Sequence, residues 1–566
     1  MQIMTRHKKQ LLTIILTALA FTISSCVNEL ANNDKNAENK DAQKEFNAKA
    51  FAGTANAPKT KTSGKYTLLE SGKNGIRFFW DTDDHYRLWV DMGGTKGWQR
   101  FQSQDTLDSE DGKITQARFL LPPKFQLTED TYSLWYSHYG IHGGKTRYTY
   151  IPNNHTQNKP NDFSNLRDQG VCGFATAIDN GIWYAFTLQH ATSYITFMPY
   201  AGDGGSKTTL QKCKLTQITL TCDESNQGHF YFDENGELDE SKRPGKGRYT
   251  RTIYCATSTS ETGFSIPGSA DEAKDNAAIM VMPPGTYHNV EIAYTLYDPI
   301  VQTTGIFKKL IPELVLKPGK NRPMFSKLEA EDFTSKFGLY HMWGAKLYFW
   351  DGAHFPSHEW RPGGINAQPG APKPGDTRYY DPAHVSGPGN IAPAGTIDHN
   401  APSANLLSWY VLYGDPRWDD SPFTYDGHLF TGRMWFLKQK HIAKLVGFSE
   451  AEMNQKMNEK AADGSDLRSR GYGSVNQNSA PWNKVPEGKR SNYFFVMPLG
   501  YYDSTGRLYM DANYEGRYWT STAVTYKTYE YYAYYLRISP GYARVSGDNS
   551  GEWLKSNGYQ QWPGEN

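Results

Sequence analysis

The side chains best suited to chemistry lie in His354-Phe355-Pro356-Ser357-His358-Glu359, close to His341 and Asp351. Histidines and carboxylates in one stretch are the donor set of a transition-metal site. Pro356, however, breaks the helix that would align the two histidines at i, i+4, so the stretch reads as solvated loop. Asp415, Asp419 and Asp420 offer oxygen ligands of the kind calcium takes, but the glycine and glutamate of a calcium loop are missing. Asp415-Pro416 is more simply a turn start. His190 ends a strand-like run beside Thr192 and Ser193. A general base needs a nucleophile in reach, and His190 reads instead as a hydrogen-bonded structural residue. No G-x-S-x-G, H-E-x-x-H or phosphate-binding glycine loop occurs. Paired carboxylates for glycoside hydrolysis are a spatial signal, and nothing points to a pair. The expectation is no catalytic residue, no metal and no cofactor, hence no enzyme.

The aromatic residues carry more. Tyr526, Tyr529, Tyr531, Tyr532, Tyr534 and Tyr535 exceed what one strand can bury on its inner face, because alternate residues point outward. Exposed Tyr and Trp are the usual material for docking a protein or stacking on a sugar. Trp519, Tyr529, Tyr531 and Tyr532 are therefore expected ligand-binding residues, against the alternative that they lie beneath long loops.

The elements that must position these residues belong to a chain of 566 residues, about three to four domains at roughly 150 residues each. With 14% aromatic residues, it is not a disordered polymer. The 60 basic and 59 acidic residues leave a formal charge of +1, so there is no basic field for nucleic acid. Residues 1–9 are positively charged, Leu11 to Ile23 form an apolar run of signal-peptide length, and Ile23-Ser24-Ser25-Cys26 follows. This resembles the lipobox of bacterial lipoproteins, which implies a signal peptide over 1–25 and lipidation at Cys26. The lipid would be the only membrane anchor, since no other segment approaches 18 apolar residues. Asn28 to Lys49 is polar and unpatterned, so 26–49 reads as a tether or propeptide.

From about Tyr66 short strands alternate with turn signals: Ile76 to Trp80, Tyr86 to Val90 and Tyr132 to Tyr136. A pair follows in which Trp183, Phe186 and Leu188 lead into His190 and then Ile195 and Phe197. Leu215 to Cys222, Ala277 to Met282, Val290 to Tyr297 and Leu314 to Leu316 continue the series, as in β-sandwiches. Cys172, Cys213, Cys222 and Cys255 allow three connectivities. If Lys214 to Thr221 is one strand, Cys213 and Cys222 are roughly 30 Å apart and cannot bridge each other; four buried free thiols are the other possibility. Ten of the fifteen tryptophans follow residue 340. Ser357 to Pro402 is rich in Pro, Gly, His and Asn and reads as loop. Ser449 with Glu452 forms a capping box for a helix carrying Ala451, Met453, Met457 and Ala461, and Met434 to Leu445 reads as a second helix.

Phe51-Ala52-Gly53-Thr54, Lys59-Thr60-Lys61-Thr62-Ser63 and Phe79-Trp80-Asp81 resemble the opening of fimbrillins, the lipoprotein-precursor subunits of type V pili. Phe186-Thr187-Leu188-Gln189-His190-Ala191 with Ile195-Thr196-Phe197 resembles the strand that opens the second fimbrillin domain. Leu316-Lys317-Pro318-Gly319-Lys320-Asn321 resembles its closing turn. Further on, Val496 to Tyr501, Gly516 to Thr522 and Tyr531 to Ile538 resemble C-type-lectin-like domains of bacterial surface lipoproteins. The E-P-N, Q-P-D and W-N-D calcium motifs, the framework disulfides and the paired cysteines of the formylglycine-generating branch are absent. Calcium-dependent sugar binding and oxidase chemistry therefore do not carry over.

The resemblance implies a mainly β chain. Two tandem fimbrillin-like (transthyretin-like) β-sandwiches, over 50–172 and 173–328, would precede an α+β C-type-lectin-like adhesive domain over 335–566. It implies an exported outer-membrane lipoprotein precursor, then a pilus-tip adhesin. Proteolysis after Lys49, with Lys59 and Lys61 as rivals, would open a groove for a strand donated by another fimbrial subunit. A host or bacterial surface glycan or protein is the implied further partner. The alternative is a monomeric surface glycan-binding lipoprotein that keeps its lipid.

Overall fold

The computed structural model describes residues 50–53, 63–69, 74–164, 166–255, 263–334, 339–353, 368–380, 391–469, 473–477, 484–509, 515–524, 531–547 and 554–565. The fold is mainly β, in several sheets. The largest has nine strands. Its spatial order is Trp98–Arg100, Leu88–Asp91, Thr131–Ser137, Cys172–Asp179, Tyr184–Phe186, Phe51–Gly53, Lys113–Leu120 and Ser103–Glu110, with Gln189–His190 pairing beside Cys172–Asp179. Phe51, Trp80, Leu88, Val90, Phe119, Leu134, Tyr136 and Phe186 form its core.

Two further sheets lie face to face. One runs Asn154–Gln157, Tyr249–Cys255, Lys214–Cys222, Gly285–Asp298 and Thr303–Leu316; the other runs Ala278–Met282, Ser193–Ala201 and Asn321–Leu328. Their shared core holds Ile195, Phe197, Leu215, Ile218, Met280, Ile292, Tyr294 and Leu314.

The expected boundary at 172/173 does not follow the strand pairing. Cys172–Asp179 runs antiparallel beside Thr131–Ser137 in the first sheet, because its inward Ala175 and Ala177 complete that sheet's core. Conversely, Asn154–Gln157 leaves the first sheet to pair in parallel with Thr252 to Cys255. The expected partnership of the Phe186 and Ile195 runs is also corrected. Tyr184–Phe186 joins the first sheet, while Ser193–Ala201 pairs antiparallel with Ala278–Met282 and parallel with Asn321–Leu328. Ser193–Ala201 is buried on both faces. Ile195 and Phe197 face the shared core, and Tyr194 and Met198 face a second cluster closed by Tyr66 and Ile76 of the hairpin Ser63–Leu68/Asn74–Phe79.

All four described cysteines are buried and unpaired. Burial raises each thiol's pKa, that of Cys222 to about 11, so they behave as small apolar side chains.

Beyond Phe333 the architecture mixes helix and strand. One sheet runs Glu331–Asp332, Arg417–Tyr425, His428–Leu437 and Tyr493–Val496. A second runs Tyr340–His341, Tyr559–Gln560, Gly516–Ala523, Ala533–Ser539, Tyr542–Gly547 and Gly473–Gln477. The helix Glu450–Glu459 starts at Ser449, whose side chain accepts from the Glu452 amide while Glu452 reaches back to the Ser449 amide. Met453 and Met457 are buried under it. The expected helix from Met434 begins only at Gln439 and ends at Gly447, which takes the left-handed conformation that closes a helix, at φ 80°. Met434 to Leu437 finish a strand instead. Met434 and Phe436 fill one core and Trp435 another, so both faces of the run are apolar and no helical stripe exists.

The turn after Gly285–Asp298 joins the sandwich to this region. Asp298 Oδ2 accepts from the Leu429 amide at 3.0 Å and lies 3.2 Å from His428 Nδ1. Leu429 is buried within the sandwich core. Gly305 allows the approach, since a Cβ there would stand 3.1 Å from both Leu429 and Pro422.

Candidate functional site

Phe51-Ala52-Gly53 is a three-residue strand enclosed on both sides. It runs antiparallel to Lys113–Leu120, with Phe51 opposite Phe119, and parallel to Tyr184–Phe186, with Phe51 opposite Tyr184. The Tyr184 amide donates to the Ala50 carbonyl at 2.8 Å. Phe51 is fully buried, stacked on Tyr184 at 5.0 Å and edge-on to Phe101 and Tyr132. Gly53 is required by close packing, because a Cβ would sit 2.9 Å from the Phe186 ring and 3.0 Å from Trp80. Without this strand, Lys113–Leu120 and Tyr184–Phe186 lose their common neighbour and the core opens at Phe51. Lys49 precedes it in the sequence and Lys59 and Lys61 follow it. All three, like Cys26, lie outside the described residues.

Trp519 is not a surface residue. It is fully buried, stacks on Tyr559 at 4.1 Å and donates its indole N–H to the His341 carbonyl at 3.0 Å. The cause is that Gly516–Ala523 is buried on both faces. Tyr534 and Tyr535 are buried likewise. Tyr532 is half-buried, and Tyr531 is 49% exposed. Tyr526 and Tyr529 lie outside the described residues. Of the four expected ligand-binding aromatics, Tyr531 alone is described as exposed.

The polar candidates disperse. His341 is buried, with Nε2 2.7 Å from Asp398 Oδ1, and Asp398 Oδ2 accepts from the Gly344 amide. Asp398 carries no sequence signal of this role. Asp351 is exposed, and His354 and His358 lie outside the described residues. Asp415 accepts from Arg417 and the Tyr493 hydroxyl, both at 2.7 Å. Asp419 accepts from the Ser421 amide at 2.9 Å and from the Trp435 indole at 3.3 Å. Asp420 is exposed, 3.9 Å from Lys484. Among the described residues, no group of three or more His, Cys, Asp or Glu is placed to hold a metal. His190 is buried against the Tyr194 hydroxyl, and burial pushes its pKa down to about 3. It is neutral and inaccessible.

No protein-family profile and no curated protein matches the chain. Solved structures do. A candidate cell adhesion protein from Bacteroides ovatus aligns at 14% identity and a TM-score of 0.29, over 50% of this chain and 91% of that one. A similarly described protein from Bacteroides fragilis aligns at 13% identity and 0.26, over 50% and 93%. A fimbrial protein from Bacteroides ovatus aligns at 10% identity and 0.17, over 90% and 97%.

Proposed function

We propose that the chain is the adhesive tip subunit of a surface fimbrium, exported as a lipoprotein lipidated at Cys26 and completed by a strand from a neighbouring subunit. The observation that carries this reading is the Phe51 strand. It is short, lies within a sheet rather than at its edge, and is flanked in sequence by basic residues suited to a trypsin-like protease. Cleavage after Lys49 leaves it attached to the folded chain, whereas cleavage after Lys59 or Lys61 severs it. The rivals are therefore preferred. Loss of the strand exposes the backbone edges of Lys113–Leu120 and Tyr184–Phe186, and a donated strand restores both ladders by β-addition. A tip subunit accepts a strand without donating one, which fits the large α+β region beyond Phe333. That region we read as C-type-lectin-like, with Tyr531 and Tyr532 on its adhesive surface.

The test is the mature N-terminus, read by mass spectrometry on sheared filaments and on outer membranes separately. The expected result is a non-acylated chain in filaments starting at Thr60 or Thr62. A start at Ala50 would preserve processing but sink the removal of the Phe51 strand. A chain confined to membranes and beginning at acylated Cys26 would replace this reading with a tethered glycan-binding lipoprotein.

A further inference from the structure

The two rims of the face-to-face sheets differ. On one, side chains of Asn154–Gln157 cross to the backbone beside Ala278–Met282. Gln157 donates to the Ala277 carbonyl at 2.9 Å and accepts from the Ile279 amide at 3.0 Å, and His155 Nε2 lies 3.0 Å from the Ile279 carbonyl. These contacts satisfy an otherwise open strand edge. On the opposite rim, no hydrogen bond or ion pair joins Thr303–Leu316 to Asn321–Leu328 among the described residues. This rim opens into a cleft of about 580 Å³, walled on its far side by Arg417–Tyr425, His428–Leu437 and Tyr493–Val496. The volume lies in the range that takes a small ligand.

The cleft carries a surplus of cations: six line it against three carboxylates. Each carboxylate is held by a cation of the cleft, Glu331 by Arg433 at 2.8 Å, Asp419 by Lys484 at 3.5 Å and Glu329 by Lys327. Lys308 pairs with Glu291, outside the lining, at 3.2 Å. Lys309 and Arg490 have no acidic partner among the described residues. Arg433 is only 5% exposed, sits over the Phe333 and Phe495 rings at 5.5 and 5.2 Å, and has a buried Nε with no hydrogen-bond partner. Since the whole chain is nearly neutral at +1, the surplus belongs to this place rather than to overall composition.

We propose that this cleft binds an acidic saccharide, its carboxylate or sulfate taken by Lys309 and Arg490. The pairing pattern favours a sugar over an acidic peptide. The solvent-facing carboxylates Glu329 and Glu331 accept from hydroxyls, while the surplus cations take the acid group. A polyol bearing an acid uses both kinds of group; a run of carboxylates meets repulsion from the first. The site is separate from the Phe51 strand and from Tyr531, and stands whether or not the chain assembles into a fimbrium.

The experiment is calorimetric titration of the full chain with trigalacturonic acid, its methyl ester, a chondroitin sulfate hexasaccharide and hexaglutamate. Saturable binding of either acidic saccharide is expected, with the carboxylate and sulfate probes separating the two acid groups. The methyl ester should bind at least about tenfold more weakly than the free acid if the carboxylate probe is the one bound. The double variant Lys309→Gln/Arg490→Gln should lose about tenfold or more of the acidic-saccharide affinity, the scale of two charged contacts, with an unchanged thermal midpoint. Undiminished binding by the double variant overturns the proposal. So does the absence of saturable binding by both saccharides, or binding of hexaglutamate in their place.

Discussion

His155 and His190 are both buried, and both have pKa values of about 3. Burial is the main cause in each case, with the Arg251 charge adding to it at His155. In the unfolded chain an imidazole takes its proton near about 6.5. Between those values the unfolded chain binds more protons than the folded one, so stability rises with pH across that window and falls on acidification. At pH 5 each histidine costs about 2 kcal/mol relative to neutral pH. The urea midpoint should therefore drop between pH 7 and pH 5, and His190→Gln should remove about 2 kcal/mol of that loss. An equal slope in the variant would show that its proton is taken up elsewhere. A structural role for His190 was legible from its strand-end position beside two hydroxyl residues. The burial of Trp519 was not, because its strand is covered on both faces and alternation along the sequence carries no sign of that.

The helix capped by Ser449 was legible at the scale of elements, since a capping box is local: four residues decide it. Ser449→Ala should cost about 1 kcal/mol, read as a lower denaturant midpoint at constant slope, with Glu452→Gln milder. No change in midpoint would mean that Met453 and Met457 alone hold the helix. The strands that misled share one property. Ser193–Ala201, His428–Leu437 and Gly516–Ala523 are nearly buried throughout. A strand covered on both faces loses the apolar–polar alternation that marks its buried side, and its partner cannot be identified by periodicity alone. The exchange of Asn154–Gln157 and Cys172–Asp179 between sheets is a matter of long-range pairing and left no local mark.

Across the whole molecule, the sandwich and the α+β region are joined through a buried carboxylate. Burial works to raise the Asp298 pKa, but bonds from His428 and from the Leu429 and Ile300 amides outweigh it and hold it below the usual range. Its contribution is complete above the unfolded value near about 3.9 and is lost as pH falls through the lower folded one. This loss lies below most of the histidine window. Asp298→Ala leaves buried amides without an acceptor, at a cost of about 1–3 kcal/mol. Hydrogen exchange at Ile300, Val301 and Leu429 should accelerate in that variant. Unchanged exchange there would mean that the apolar contacts of Leu429 suffice. The mainly β character was legible from strand spacing. The open rim was not, because its charged residues are scattered over four stretches of sequence.

Tyr340–His341 pairs antiparallel with Tyr559–Gln560. The intervening chain leaves and returns at neighbouring points, so it forms a closed excursion from the structure that precedes it. Recombination can exchange such an excursion as a unit without altering the spacing of its attachment points. A replacement would still have to return an apolar side chain and a backbone amide to the places Leu429 holds in the sandwich core and beside Asp298.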